Sequence, residues 1–93
     1  MTGDLDMLMR LSKFMDEWGL SLNDIKVLLW LRENEKARTS DVAEAVGVTR
    51  PSMSKSVSIL IKRGWLMSDV NLFDRRSFIV QLTPLGIARV RDL

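Results

Sequence analysis

The first helix of the chain is predicted by apolar residues that recur every three or four positions. This spacing runs through residues 4–18 and stops at Gly19. The apolar members of the stripe are Met7, Leu8, Leu11, Phe14, Met15 and Trp18. Methionine and tryptophan at helical spacing more often belong to a core or a subunit contact than to a ligand pocket, so we expect a broad buried face.

A second helix is predicted over residues 22–34. Ser21 and Asp24 have the spacing of a capping box, in which a hydroxyl and a carboxylate each accept a backbone N–H at the helix start. The residues expected to face inward are Ile25, Leu28, Leu29 and, less firmly placed by the spacing, Leu31. The polar residues 33–38 that follow are expected to form only a connection.

A short third helix is predicted over residues 41–46. Thr39 or Ser40 can cap its start, because either hydroxyl can accept an exposed backbone N–H. Gly47 can end the helix, since glycine enters left-handed backbone space without penalty.

The next segment, residues 50–63, has two readings. Serine at alternate positions gives the period of a strand, and these serines are Ser52, Ser54, Ser56 and Ser58. The helical reading places four apolar residues on one side, namely Met53, Val57, Leu60 and Ile61. We favour the helix, with Thr49 as its cap and Pro51 in its first turn.

A β-hairpin is predicted after the fourth helix. Residues 65–70 and 77–82 are its arms, and the polar residues 71–76 form its turn. Thr83 and Pro84 then open a last helix that ends at Leu93. Two helices around a tight turn followed by such a hairpin predict a mainly α fold with a small β wing, the winged helix-turn-helix.

One domain over residues 1–93 is expected, because no linker or repeat divides the chain. Within it we distinguish the N-terminal helix (1–19), a core that contains the predicted helix-turn-helix and hairpin (21–82) and the C-terminal helix (83–93).

The chain has neither cysteine nor histidine, which removes thiolate nucleophiles, imidazole bases and the commonest zinc ligands. The neighbouring carboxylates Asp16 and Glu17 have no partner base or metal-ligand spacing beside them. We therefore expect no enzyme, no cofactor and no metal. The longest apolar run, residues 27–31, is far shorter than the ~20 residues that cross a bilayer, so a cytoplasmic protein without a membrane partner is expected.

Charge is divided unevenly along the chain. Residues 1–35 carry a net charge of −3 and residues 36–93 a net charge of +5, so the basic excess coincides with the predicted helix-turn-helix and hairpin. A helix fits the major groove of duplex DNA, and arginine, lysine and serine can bond base edges or phosphates. We therefore expect double-stranded DNA as the partner.

The residues predicted to bind DNA lie on the outward side of the fourth helix and at the hairpin tip. They are Thr49, Arg50, Pro51, Ser52, Ser54, Lys55, Ser58, Lys62, Arg75 and Arg76, with Asp74 supporting the tip. At the tip, an arginine can enter the narrow minor groove while Asp74 holds a neighbouring guanidinium. The alternative is that the helix is only a solvated surface and the tip only a polar turn.

Residues 21–86 resemble the winged helix-turn-helix of the MarR family of transcription regulators. The resemblance rests on residues 40–55, on Leu60 with residues 62–66, and on the Asp-x-Arg-Ser pattern of residues 74–77 leading to Leu-Thr-x-x-Gly at residues 82–86. It implies a regulator, more often a repressor, whose fourth helix enters the major groove and whose wing contacts the minor groove.

The resemblance also implies a homodimer, although the C-terminal helix is short compared with the family's long dimerisation segment. The expected dimer contacts are Leu8, Leu11, Met15, Leu85, Val90 and Leu93. Many relatives release DNA when a small molecule binds, but no feature of this sequence supports such an effector. Ile59 and Ile61 stand where relatives often have charge; Ile61 is expected on the inward side, and Ile59 against a thymine methyl or a partner.

Two rival functions remain open. One is a protein-interaction module that docks a partner through Ile59, Trp65 and Phe73. The other is a replication or recombination accessory factor, which would bind DNA without changing promoter output.

Overall fold

Five helices and three strands make up the described part of the computed structural model, which comprises residues 2–70, 78–91 and 93. In chain order they are α1 (Thr2–Trp18), α2 (Leu22–Glu33), β1 (Lys36–Arg38), α3 (Thr39–Val46), α4 (Arg50–Lys62), β2 (Leu66–Val70), β3 (Phe78–Leu82) and α5 (Pro84–Val90). The predicted class, mainly α with a small β-hairpin, is confirmed.

The predicted caps of α2 and α4 are confirmed. The Asp24 N–H donates to Ser21 Oγ at 3.2 Å, and the Ser21 N–H donates to Asp24 Oδ2 at 2.9 Å, which completes the capping box. At α4 the Ser52 N–H donates to Thr49 Oγ1 at 3.2 Å. These bonds satisfy N–H groups that a helix leaves without internal partners, so both helices begin where the sequence predicts.

The cap predicted for α3 is wrong. The helix begins at Thr39, and its N-cap residue is Arg38, which makes no side-chain cap bond. The Thr39 hydroxyl instead accepts the backbone N–H of Phe78 at 3.3 Å. This bond ties the start of α3 to the start of β3, because Thr39 lies inside the helix and faces the sheet.

The sheet contains a strand that the sequence does not predict. Strand β1 occupies part of the segment expected to be a plain connection, and it pairs antiparallel with β3 through Lys36↔Gln81, Ala37↔Val80 and Arg38↔Ile79. The strand order is β1-β3-β2. Three residues are too few for alternation to be told from a polar connection, so this strand depends on its distant partner.

The core lies between the helices and the helix-facing side of the sheet. Its fully buried side chains are Ile25, Val27, Leu28, Val42, Leu60, Val80 and Val90. In α2 the prediction is confirmed for Ile25, Leu28 and Leu31, whereas Leu29 is only half-buried and Val27 takes an inner position. The buried face of α2 is therefore turned slightly from the predicted one.

Helix α5 is fixed against the link between α4 and β2. The Thr83 N–H donates to the Trp65 carbonyl oxygen at 3.0 Å, and the Thr83 hydroxyl accepts the Gly86 N–H at 3.0 Å. A Cβ on Gly86 would lie 2.1 Å from that Trp65 oxygen, so only glycine allows this approach. The predicted cap and first-turn proline of α5 are confirmed, whereas the helix ends at Val90 and not at Leu93.

The apolar stripe of α1 is buried over only half of its length. Leu11, Phe14, Met15 and Trp18 are half-buried against the core. The Trp18 ring meets Trp65 edge-on with 5.3 Å between centroids, and the Arg89 guanidinium lies 4.7 Å from the Trp18 centroid. The first turns of α1 instead expose their apolar side chains, which are Leu5, Met7, Leu8 and Met9.

Candidate nucleic-acid interface

The turn between α3 and α4 sets the direction in which α4 leaves the core. Gly47 has φ 73°, in the left-handed region. The N–H groups of Gly47 and Val48 both donate to the Ala43 carbonyl oxygen at 3.0 Å, which closes the end of α3. Thr49 then caps α4 immediately, so the two helices are joined by a turn with little freedom.

Helix α4 is a helix rather than a strand, because its burial follows helical spacing. Met53, Ser56, Val57 and Leu60 are buried, and they share one side of the helix. Ile61 departs from the prediction: it is 38% exposed and lies at the edge of the buried side. Ile59 is half-buried on the other edge, beside the Ser52 flank.

The outward side of α4 carries the residues that the sequence predicts for DNA binding. Thr49, Arg50, Pro51, Ser54, Lys55, Ser58 and Lys62 are exposed, and Ser52 is half-buried. On a helix of 13 residues, about 20 Å long, Pro51, Lys55, Ser58 and Lys62 point the same way on successive turns. The structure thus gathers the predicted residues of α4 on one accessible surface.

The charged side chains of this surface are all positive. Helix α4 contains Arg50, Lys55 and Lys62 and no acidic residue, and no ion pair to any of the three occurs within the described residues. Its N-terminus adds the partial positive charge of unpaired N–H groups, of which Thr49 takes one. Such a surface favours an anionic, extended partner with phosphate groups.

Thr49 and Ser52 are already engaged with each other. The Thr49 hydroxyl donates to Ser52 Oγ at 3.0 Å while it accepts the Ser52 N–H. Each hydroxyl keeps acceptor capacity, so either can still contact a ligand, but their first role is to begin the helix.

A groove of about 410 Å³ runs beside α4, between that helix, the start of α3 and the base of the hairpin. Arg50, Ser54, Ser58, Ile61 and Lys62 line it from α4, and Ser68 and Phe78 line it from the hairpin. Sequence reasoning missed Ile61, Ser68 and Phe78 as members of this surface. The available signal was a phenylalanine near the start of the predicted arm 77–82, close to the predicted polar turn.

The hairpin tip lies outside the described residues. Asp74, Arg75 and Arg76, and also Phe73 of the rival docking surface, fall in the segment 71–77. The roles given to these residues stay predictions.

The residues expected at a dimer contact divide into three groups. Leu8 (62% exposed) and Leu85 are exposed, and Leu11, Met15 and Leu93 are half-buried against the core. Val90 differs from the prediction, because it is 1% exposed and belongs to the core of the single chain. A contact with a second chain therefore has no access to Val90.

The rival protein-docking surface loses one of its members. Trp65 is 2% exposed and lies under α1, where it contacts Phe14 and Trp18. It cannot reach a partner without opening the core.

Comparison with known proteins agrees with the helix-turn-helix and hairpin described above. The sequence profile of the MarR family matches residues 20–78. An uncharacterised helix-turn-helix transcriptional regulator of Bacillus subtilis, YfiV, is 32% identical over 72 residues, which cover 74% of this chain and 45% of that protein. The chain thus spans about half the length of the curated relative it matches.

Solved structures with the same fold have low sequence identity to this chain. The DNA complex of Staphylococcus aureus MepR superposes with a TM-score of 0.80 at 19% identity, covering 98% of this chain and 75% of MepR. Reduced AbfR bound to DNA has a TM-score of 0.77 at 18% identity, covering 98% and 67%. Wild-type apo MarR of Escherichia coli has a TM-score of 0.74 at 19% identity, covering 97% and 71%. These matches show a shared fold.

None of the helices in the described ranges has the length and apolar character that crossing a bilayer requires.

Proposed function

This chain belongs to the MarR family, and we propose that it regulates transcription by binding duplex DNA with α4 in the major groove. The observation that carries the proposal is the outward side of α4, where three basic residues and exposed serines lie together with no acidic residue among them. Two proteins that share the fold, MepR and AbfR, are described as bound to DNA, which supports the same partner here.

The base contacts in this proposal come from the leading end and the middle of α4. Lys55 and Ser58 project from its outward side, and Arg50 projects from its leading end. Arginine and lysine can hold guanine or phosphate, and the small serines allow the helix to lie deep in the groove. The wing residues Arg75 and Arg76, with Asp74, are proposed to contact the adjacent minor groove, which is the narrower and more electronegative one.

A homodimer that represses promoters is part of the proposal. The exposed apolar turns of α1 form a patch that a second copy of the same stripe can cover, as a two-fold contact requires. Leu85 of α5 is also exposed, and we include it in the proposed contact as a second apolar position. Two copies of α4 would then read two half-sites about one helical turn apart.

The family consists of transcription regulators, which are not enzymes, and we propose that this chain likewise has no catalytic activity and acts in the cytoplasm, where promoter DNA lies. No cofactor takes part in the proposed function.

Selection of bound sequences from random duplex, followed by titration of the selected duplex, tests the proposal. Arg50→Ala and Lys55→Ala should each weaken binding by about 1–3 kcal/mol if they contact bases, and by a sequence-independent amount if they contact phosphate. Lys13→Ala, an exposed lysine of α1, is the matched control and should leave affinity unchanged.

Two outcomes contradict the proposal. Absence of duplex binding at ~50 mM salt, where phosphate contacts are strongest, would favour a protein-interaction module instead. Binding that leaves promoter output unchanged would favour a DNA accessory factor.

A further inference from the structure

Two large apolar side chains beside α4 are exposed although the core lies close to them. Ile61 is 38% exposed at the edge of α4, and Phe78 is 41% exposed at the first position of β3. Both line the groove between α4 and the hairpin. Isolated exposed apolar residues are common, whereas apolar residues that share one groove with a polar rim are typical of binding surfaces.

The groove combines an apolar floor, by which we mean the side chains of Ile61 and Phe78, with a polar, cationic rim. Arg50 lies at one end of its α4 wall and Lys62 at the other, and the hydroxyls of Ser54 and Ser58 lie between them. Ser68 adds a hydroxyl from the opposite wall. A matching ligand is therefore one that alternates anionic groups with apolar, carbon-rich groups along its length.

The floor is held in place by backbone contacts. Phe78 is the first residue of β3, and its backbone N–H donates to Thr39 Oγ1 at 3.3 Å. The same residue pairs with Val70 of β2 in the sheet. Ile61 is carried by α4, whose buried side packs in the core. The separation of the two walls is consequently set by the fold.

We propose, resting on the proposed function, that this groove holds the sugar–phosphate backbone of one DNA strand, with deoxyribose carbons against Ile61 and Phe78. If α4 enters the major groove and the hairpin reaches the adjacent minor groove, one backbone strand must pass between them. The rim cations and hydroxyls meet its phosphates, and the apolar floor meets the sugars. Ile61 and Phe78 are then positioning residues that fix the register of α4 without reading sequence.

Fluorescence anisotropy with two duplexes tests this inference. One duplex carries the selected sequence and the other an unrelated sequence of equal length, and both are titrated at several salt concentrations. Phe78→Thr and Ile61→Gln should weaken both duplexes by a similar factor, about five- to tenfold, because apolar contact area is lost. The dependence of log affinity on log salt should keep its slope, since no phosphate contact is removed.

Two further variants calibrate the result. Lys62→Gln should reduce the salt slope by about one unit, as expected for a phosphate contact. Met67→Thr is the matched control for Phe78→Thr: Met67 is 47% exposed on a strand, but it pairs with Gln81 on the opposite face of the sheet, so binding should not change. Thermal unfolding of each variant reports whether it is folded, and the two test residues lie on different elements.

Each other outcome overturns the inference. A loss confined to the selected duplex would mean that the two side chains contact bases, such as a thymine methyl. Unchanged affinity in both folded variants would mean that the groove lies away from DNA, with the proposed function still standing. If the wild-type protein binds neither duplex, the proposed function fails first, and the inference fails with it.

Discussion

Helix α4 and the first half of α1 each expose one side to solvent, but the two exposed sides have opposite chemistry. Helix α4 buries Met53, Val57 and Leu60 in the core, and its outward side is polar and cationic. The first turns of α1 carry the same kind of apolar stripe as its second half, but among the described residues no other element covers them. A surface of the first kind is complete in one chain, whereas a surface of the second kind becomes stable in water by meeting another protein surface.

This difference supports two separate proposed roles, which are DNA binding for α4 and self-association for α1. The α4 surface attracts an anionic ligand and tolerates water when the ligand is absent. Covering the α1 surface lowers the free energy by about 25 cal/mol for each Å² of apolar area removed from water. The joint between them is the aromatic contact of Trp18 with Trp65, which links the end of α1 to the segment directly after α4.

The largest expected effect comes from placing a charge on the α1 stripe. Leu8→Glu should weaken self-association on the order of a hundredfold or more, because a carboxylate would be buried without a partner. Lys13→Glu changes charge on the opposite side of the same helix and serves as the control. Sedimentation equilibrium measures both. Equal association of wild type and Leu8→Glu would mean that the α1 stripe is not the dimer contact.

The next largest effect is expected where α5 packs against the link between α4 and β2. Gly86→Ala should lower the free energy of unfolding by about 1–3 kcal/mol, since the new Cβ would meet the Trp65 carbonyl oxygen at 2.1 Å and the helix would have to move. Gly3→Ala is the control, because a Cβ at Gly3 has open space. Chemical denaturation measures the difference. Equal stability of the two variants would show that α5 is not held tightly against the α4–β2 link.

A smaller effect is expected at the start of α4. Thr49→Ala should lower stability by about 1 kcal/mol, because the Ser52 N–H loses its acceptor. Thr49→Ser keeps a hydroxyl in the same place and should retain most of the stability. Thermal denaturation compares the three proteins. If both substitutions destabilise equally, the methyl group rather than the hydroxyl is the important part of Thr49, and the cap contributes little.

What the sequence predicts well is what its local chemistry decides. The capping box at Ser21 and Asp24, the left-handed Gly47 and the Thr49 cap depend on residues within four positions of each other, and all are confirmed. The helical identity of α4 could be predicted because its apolar residues fit a helical face better than a strand face.

What the sequence predicts poorly depends on distant partners. Strand β1 exists because β3 pairs with it, and Thr39 turns from its own helix to Phe78, 39 residues away. Val90 was predicted at a dimer contact, yet its side chain is buried in the core of the single chain. The groove beside α4 was missed for the same reason, since Ile61 and Phe78 line one groove only after the hairpin folds back against α4.

The outward side of α4 is proposed to meet duplex DNA, and because the chain contains no cysteine, a single introduced thiol can report this contact directly. Ser58→Cys places a single thiol in the middle of that side, and Met67→Cys places one on the far face of the hairpin. The rate of maleimide labelling is measured for each with and without saturating selected duplex. We expect the duplex to slow labelling at position 58 at least tenfold and to leave position 67 unchanged. Equal labelling at position 58 with the duplex bound would contradict the proposed contact.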